Sequence, residues 1–243
     1  MLKTSLMARA VLHLGERLLD EKGGWRILAG WHVAPVGAHF QVELGKMLNE
    51  DRADGRRLRP YLRNTNVQWD RIDTSDLKQM HFSASERGRY GVMPGDLLIC
   101  EGGQPGRAAI WDGPEQEVYF QKALHRARPR SHDAETRWLL HLMRLCVARE
   151  MFTDESGTTI AHLTNEQLRA LRMPFPPVEE QCVIVSEIDR LLAVAELASL
   201  AARDLASLLH ERKRALVTAC VTGEFDVTTA SPRAGDAALA HLS

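Results

Sequence analysis

The sequence predicts an α+β fold: a globular domain of short strands, turns and a few helices, followed by one long coiled-coil-forming helix. Two observations carry this expectation. From Val178 to about Lys213 there is neither Pro nor Gly, and apolar or Ala residues recur at Ile184, Ile188, Leu191, Ala195, Ala198, Ala202, Leu205 and Leu209. Their alternating spacing of four and three is the seam of a left-handed coiled coil. Upstream, from about Trp31 to Pro177, short apolar runs are broken by Gly, Pro and Asn turn signals, as strands joined by tight connections require.

Residues 1–30 hold a short amphipathic helix (Leu6, Ala10, Leu14, Leu18) closed by Gly23-Gly24, which reads as an extension of the domain. The domain itself spans 31–177. Within it, Leu58 to Trp69 reads as a strand that opens after Pro60 and runs into a polar turn. Leu97 to Cys100 reads as a buried strand, Gly102 to Gly106 as a tight connection and Arg107 to Trp111 as the second strand of a hairpin. The long helix begins at the Pro176-Pro177 junction and, with its closing turn, covers 178–227. Pro177 suits the first helical position, and Glu179 and Glu180 place negative charge where the helix dipole favours it. At ~1.5 Å per residue such a helix is on the order of 50 Å long, more than the domain's own core needs. Its Ala-rich seam therefore asks for a partner helix, because an apolar stripe of that length is not left bare. Residues 228–243 read as a loose polar tail.

The formal net charge of -1 conceals a split. Residues 51–176 carry 19 Lys and Arg against 17 Asp and Glu, and residues 177–243 carry 6 against 10, so the head is slightly basic and the stalk acidic. That excess is small for a nucleic-acid binder. The cations cluster nonetheless, at Arg52, Arg56, Arg57, Arg59 and Arg63 and again at Lys122, Arg126, Arg128 and Arg130, and Arg is suited to bidentate contacts with phosphate and guanine. Cys100, Cys146, Cys182 and Cys220 are too widely spaced for a zinc knuckle or a disulfide frame, and no His pair has metal-ligand spacing. Neither a secretory leader nor a membrane-length apolar run is visible, so the cytoplasm is the expected location.

Chemical readings compete at the motifs, and for Gly102 to Gly106 the default is a structural hairpin with Gln104 and Arg107 exposed at its tip. Arg63, Asn64, Asn66 and Gln68 are residue types that read base edges through paired hydrogen bonds, although Asn at such positions also simply turns the chain. Asp96 and Glu101 are candidates for a magnesium-holding pair in a nuclease, yet Gly103 stands where a Lys is often expected. The glycines from Gly102 to Gly106 lack the Lys-Ser or Lys-Thr of a phosphate loop. No methyl-donor fingerprint, base-methylation run, helicase motif or nucleophile elbow occurs, so the chain reads as a binder without catalytic or metal-ligating residues and without a cofactor. A coiled-coil module whose head binds protein is the other non-catalytic reading.

Taken together, the motifs resemble a known family. The run from Tyr61 to Val67, then Gly95-Asp96-Leu97-Leu98 leading to Gly106-Arg107-Ala108-Ala109, is similar to the target-recognition domain of type I restriction-modification specificity subunits. So are Gly157-Thr158-Thr159-Ile160 with Leu163-Thr164, the run from Pro174 to Gln181, and Lys213 to Glu224 at the end of the stalk. The resemblance covers about Val33 to Val227 and implies a non-catalytic DNA reader whose long helix is a spacer helix. It implies two recognition domains separated by two antiparallel helices, each domain reading one half of a split target in double-stranded DNA. It also implies docking of methyltransferase subunits and, through the complex, of a restriction subunit. Residues expected on the DNA face are Lys46, Arg56, Arg57, Arg59, Arg63, Asn64, Asn66, Gln68, Gln104, Arg107, Thr158 and Thr159. The sequence shows one such domain and one full stalk helix with no internal repeat, so it is expected to match half of the usual subunit and to pair through its seam with a second copy or a different half.

Overall fold

The computed structural model describes residues 18, 25, 27–47, 58–114, 118–152 and 162–224. In chain order these form β1 (His32–Pro35), α1 (Val36–His39), β2 (Phe40–Leu44), β3 (Leu58–Leu62), β4 (Val67–Gln68), β5 (Arg71–Ile72) and β6 (Lys78–His81). There follow α2 (Arg87–Tyr90), β7 (Leu97–Cys100), β8 (Ala108–Ile110), β9 (Tyr119–Phe120) and β10 (Leu124–Pro129). The chain continues with α3 (Thr136–Ala148), α4 (Asn165–Ala170), β11 (Arg172–Phe175) and α5 (Val178–Thr222).

The head is organised around an antiparallel sheet of order β2-β10-β7-β8 that is buried on both faces. Strand alternation sorts its side chains into two cores. Leu97, Ile99, Ala108, Ala127, Phe40 and Val42 point to the side covered by α3, where they meet Trp138, Leu139, Leu142 and Met143. Leu98, Cys100, Ala109 and Leu124 point the other way, toward Leu62, Val67, Val92, Trp111 and Phe120. A strand buried on both faces reads as a continuous apolar run, which is why Leu97 to Cys100 is recognisable in the sequence. Each fully buried Leu, Ile or Phe contributes about 1.5–3 kcal/mol. The expected hairpin forms, with β7 and β8 in antiparallel register from Leu97↔Ile110 to Ile99↔Ala108. In a second sheet of order β6-β3-β9, Pro60 lies opposite Gln79, while the parallel pairing to β9 starts only at Tyr61, past the residue without an N–H.

Helix α3 is buried on nearly every side because both the sheet and the stalk pack against it, although Arg137, His141 and Arg144 form a polar stripe along it. The stalk, α5, starts at Val178, so Pro177 is the N-cap and stands one residue before the expected position. Its 45 residues give a length of about 68 Å, and Gly223, in the left-handed conformation at φ 77°, ends it near the expected point. Its buried face is Gln181, Val185, Ile188, Leu192 and Ser199, a helical spacing of four, three, four and seven.

This rotates the free seam relative to the expected one. Ile188 is buried in the head core and Ile184 packs against it, so neither is available to a partner. Leu191, Val194, Leu205 and Leu208 are 37%, 55%, 58% and 62% exposed, and with the exposed Ala198 and Ala201 they form a heptad stripe spaced three and four. Leu191, Ala198 and Leu205 of the expected seam lie on this stripe. Ala195 and Ala202, half-buried, lie on the flank nearer the head, and Leu209 is exposed beside the stripe.

Most of the expected N-terminal helix and all of residues 228–243 lie outside the described residues. In the N-terminal segment, Leu18 is buried in the α3-side core, and the Trp25 indole donates to the Arg172 carbonyl at 2.9 Å. No described helix is long and apolar enough to cross a membrane.

Candidate nucleic-acid interface

Three of the sequence motifs meet at one end of the head. The turn after β3, Asn64 to Asn66, lies against the β7–β8 connection. Arg107 Nη2 donates to the Asn64 carbonyl at 2.9 Å, and the Cys100 thiol reaches the same oxygen at 3.8 Å. Gly103, at φ 76°, leaves room for the Asn64 amide, which would stand 3.4 Å from a Cβ at that position. Gln104, exposed at the tip, accepts from Arg107 Nη1 at 3.3 Å. The third motif flanks the same connection. Phe152 packs on Gly106 and the His162 ring on Gly102, each within 3.0 Å of where a Cβ would stand, and Leu163 N donates to the Glu101 carbonyl at 2.8 Å. Thr158 and Thr159 fall between those flanks and lie outside the described residues, as do Arg52, Arg56 and Arg57.

The candidate readers divide into those with free polar groups and those that build the turn. Asn66 is buried and used at both ends of its amide: Oδ1 accepts from Arg63 N at 2.9 Å, and Nδ2 donates to the Asp73 and Asp76 carbonyls at 2.9 and 3.4 Å. It shapes the turn and does not face a ligand. Gln68, half-buried, donates to the Thr65 carbonyl at 3.2 Å, leaving its amide oxygen outward-capable. The Arg63 guanidinium is paired with Asp76 through Oδ2 at 2.8 Å and the carbonyl at 2.7 Å. That hydrogen bond, helped by the charges of Lys78 and Arg63, holds the Asp76 carboxyl below its ordinary range. Arg59 stands exposed on β3.

Lys46 does not belong to the surface set. Its ammonium donates to Glu86 Oε2 and the His81 carbonyl, both at 2.8 Å, and sits 4.9 Å from the Phe82 ring centre. Burial raises the Glu86 carboxyl pKa, but Lys46 and Ser83 outweigh it and the net shift is downward. The second basic cluster also turns inward. Arg126 is fully buried, donating to the Gly91 carbonyl at 2.8 Å over the Phe120 ring, and Arg128 grips Asp96 through Nε at 2.6 Å and Nη2 at 2.7 Å. Only Lys122 and Arg130 of that cluster are exposed. The same contacts remove the nuclease reading's first ligand. Asp96 is buried with both oxygens occupied by Arg128 and a further bond from Met93 N at 2.7 Å, and it spans a structural gap between β10 and the turn before β7.

The sequence gives no hint of a polar bridge behind this surface. Asp70, at the β4–β5 turn with φ 55°, is bound by Arg144 and lies 3.9 Å from Arg137, both on α3. Arg137 in turn grips Asp189 of α5, with Nη2 at 2.9 Å, and His141 Nε2 lies 3.0 Å from the same carboxylate. Burial pushes the His141 imidazole down to about 4, so its neutral ring donates to Asp189. Burial raises Asp189, but Arg137 and His141 more than offset it and the carboxyl sits below its ordinary range. These residues are far apart in sequence and carry no motif, so only the fold brings them together.

Residues 30–200 match the model of the type I restriction modification DNA specificity domain. Among curated proteins, the type I restriction enzyme EcoBI specificity subunit of Escherichia coli is 24% identical over 134 residues, 55% of this chain and 27% of that protein. Among solved structures, a chain from a study of complex assembly and conformational transition of the type I R-M system superposes with a TM-score of 0.66 at 18% identity, over 89% of this chain and 52% of that one. The HsdS subunit from Thermoanaerobacter tengcongensis superposes with a TM-score of 0.51 at 18% identity, over 81% and 45%. The structural likeness extends to the fold, and the chain spans about half the length of these solved chains and about a quarter of the Escherichia coli relative.

Proposed function

We propose, for a chain that belongs to the type I restriction modification DNA specificity family, that it reads one half of a split target in double-stranded DNA and presents it to a methyltransferase subunit. A restriction subunit joins through the same complex. The observation that carries this reading is the meeting of the Asn64 turn, the Gly102 to Gly106 connection and the ends of the 153–161 segment at one end of the head. That surface offers Asn64, Gln68, Gln104 and Arg107 for base edges, with Arg59 and Arg63 for phosphates. The chain supplies recognition and its partners supply the chemistry, which places its work in the cytoplasm with the DNA. The stripe from Leu191 to Leu208 takes a second stalk helix, from another copy or from a different half, and lies on the side of α5 turned from the head.

Methylome sequencing of cells expressing the cognate methyltransferase with and without this chain tests the reading. Sequence-specific methylation that needs the chain supports it. Methylation unaffected by the chain overturns it. Binding of purified protein to DNA should also weaken linearly in log salt, since phosphate contacts release counterions, whereas a protein-binding head shows no such slope.

A further inference from the structure

The stalk does not simply continue from the head. Among the described residues, two polar fastenings hold it to the head within an otherwise apolar contact. The first is Gln181, fully buried in the opening turn of α5. Its Oε1 accepts from Glu135 N at 2.9 Å, and its Nε2 donates to the Pro176 carbonyl at 2.8 Å and the Asp133 carbonyl at 3.1 Å. One amide thus joins the stalk, the strand-to-stalk junction and the start of α3, with oxygen and both amide hydrogens used. The second lies two turns further along, where Asp189 receives Arg137 and His141 from α3. Arg137 and Arg144 carry the connection on to Asp70, two residues beyond Gln68 in the reading segment. Between the fastenings only Val185 and Ile188 are buried, and apolar contacts of that kind tolerate rocking because they are not directional.

We infer that Gln181 and Asp189 are positioning residues that fix the angle between the stalk and the reading surface, and so set how many base pairs are skipped between the two halves of the target. The inference rests on the DNA-reader reading above and deepens it. Geometry gives the reason that an angle matters. From Leu192, the last α5 residue in the head core, to Thr222 the helix runs roughly 45 Å at 1.5 Å per residue. A tilt of about 10° at the fastening moves the far end by about 8 Å, the axial length of roughly two base pairs. A hydrogen-bonded amide and a bidentate Arg–carboxylate pair are the directional contacts able to hold such a tolerance.

The test measures methylation by the complete complex on a series of targets that keep both half-sites and vary the unread spacer by one to three base pairs either way. Wild type should favour one spacer by about tenfold or more over its neighbours, the order of one mismatched base pair. Asp189→Asn, a partly exposed change that keeps the helix, and Gln181→Met, which keeps the volume and removes all three bonds, should flatten that preference to within about threefold while leaving the half-site sequences unchanged. A purely structural role lowers activity on every target alike and leaves the ratio intact. Should Gln181→Met fail to fold, Asp189→Asn with Arg137→Met carries the test. If the folded variants keep the wild-type ratio, the inference is wrong although the DNA reader stands; if wild type itself directs no sequence-specific methylation, the DNA-reader reading falls and this inference with it.

Discussion

Arg107 and Asn64, 43 residues apart in the chain, meet through a hydrogen bond of 2.9 Å from the guanidinium to the backbone carbonyl. Together with the Cys100 thiol on the same oxygen, this contact joins the turn after β3 to the β7–β8 connection, so two segments that read as separate motifs become one surface. Of the other guanidinium nitrogens, Nη1 donates to Gln104 Oε1 at 3.3 Å, a bond long enough to yield to a base.

From this arrangement Gln104→Ala should cost about 1–3 kcal/mol in DNA binding and relax the recognised sequence at one position. Arg107→Ala should do more, because it frees the Asn64 turn as well, and should relax neighbouring positions together. Methylome sequencing of each variant reads both effects. Unchanged specificity in both would remove the β7–β8 connection from the interface.

Asn66→Ala should behave in the opposite way. Arg63 N and the Asp73 carbonyl lose their Asn66 partner at a part-buried site while the Asp76 carbonyl keeps Arg63, which destabilises the head by about 1–3 kcal/mol in urea unfolding. The target sequence recognised by the surviving folded protein should not change. A shift in target without loss of stability would restore Asn66 to the readers.

Those three substitutions mark where the sequence was legible. The strand at Leu97 to Cys100, its hairpin and the long helix could be read because burial on two faces, glycine turns and an unbroken heptad leave local patterns. Asn64 and Asn66 could not be told apart, since an Asn that turns the chain and an Asn that reads a base have the same local context, and only the tertiary partners at Asp73 and Asp76 decide. Arg126 and Arg128 read as a basic patch although they alternate with His125 and Ala127 and share with Leu124 a strand face that turns inward. Ile188 fits a coiled-coil seam and a head-packing face equally well, because the two stripes lie side by side on one helix. The Asp70–Arg137–Asp189 bridge depends wholly on long-range placement.

Arg59, exposed on β3 away from the base-reading turn, is expected to contact phosphate. Arg59→Ala should weaken binding to all sequences alike and reduce the slope of log affinity against log salt by about one. Specificity measured as a ratio of targets should stay as in wild type. A selective loss on one target would make Arg59 a base reader.

His141 predicts a pH dependence of stability. Its folded pKa of about 4 lies below the ordinary 6.5, so the neutral ring is favoured in the fold. The contribution is fully present above pH 6.5 and is lost as pH falls toward 4, up to about 3 kcal/mol in all. His125, also lowered by burial, acts with the same sign. Asp189, held low, adds a loss only below the ordinary carboxylate range. Urea unfolding between pH 7.5 and 4 should show this decline, and His141→Gln should remove a large part of it. An unchanged pH profile in His141→Gln would mean the ring titrates normally.

The stalk makes the last prediction. If two stalks pair antiparallel through the stripe from Leu191 to Leu208, helix length separates the heads and thereby sets the unread spacer. Deleting residues 195–201 removes one heptad, about 10 Å, and keeps the stripe continuous, since Leu205 and Leu208 move into the places of Ala198 and Ala201. Ala206 replaces the buried Ser199, another small residue. With the stalks still aligned end to end, the spacer should shorten by roughly three base pairs at ~3.4 Å each while both half-sites stay the same. Two identical copies require those half-sites to be inverted repeats, and pairing with a different half gives an asymmetric target. Methylome sequencing of the deletion variant reads spacer and symmetry together, and a spacer that does not move would show that the stalk is not the ruler.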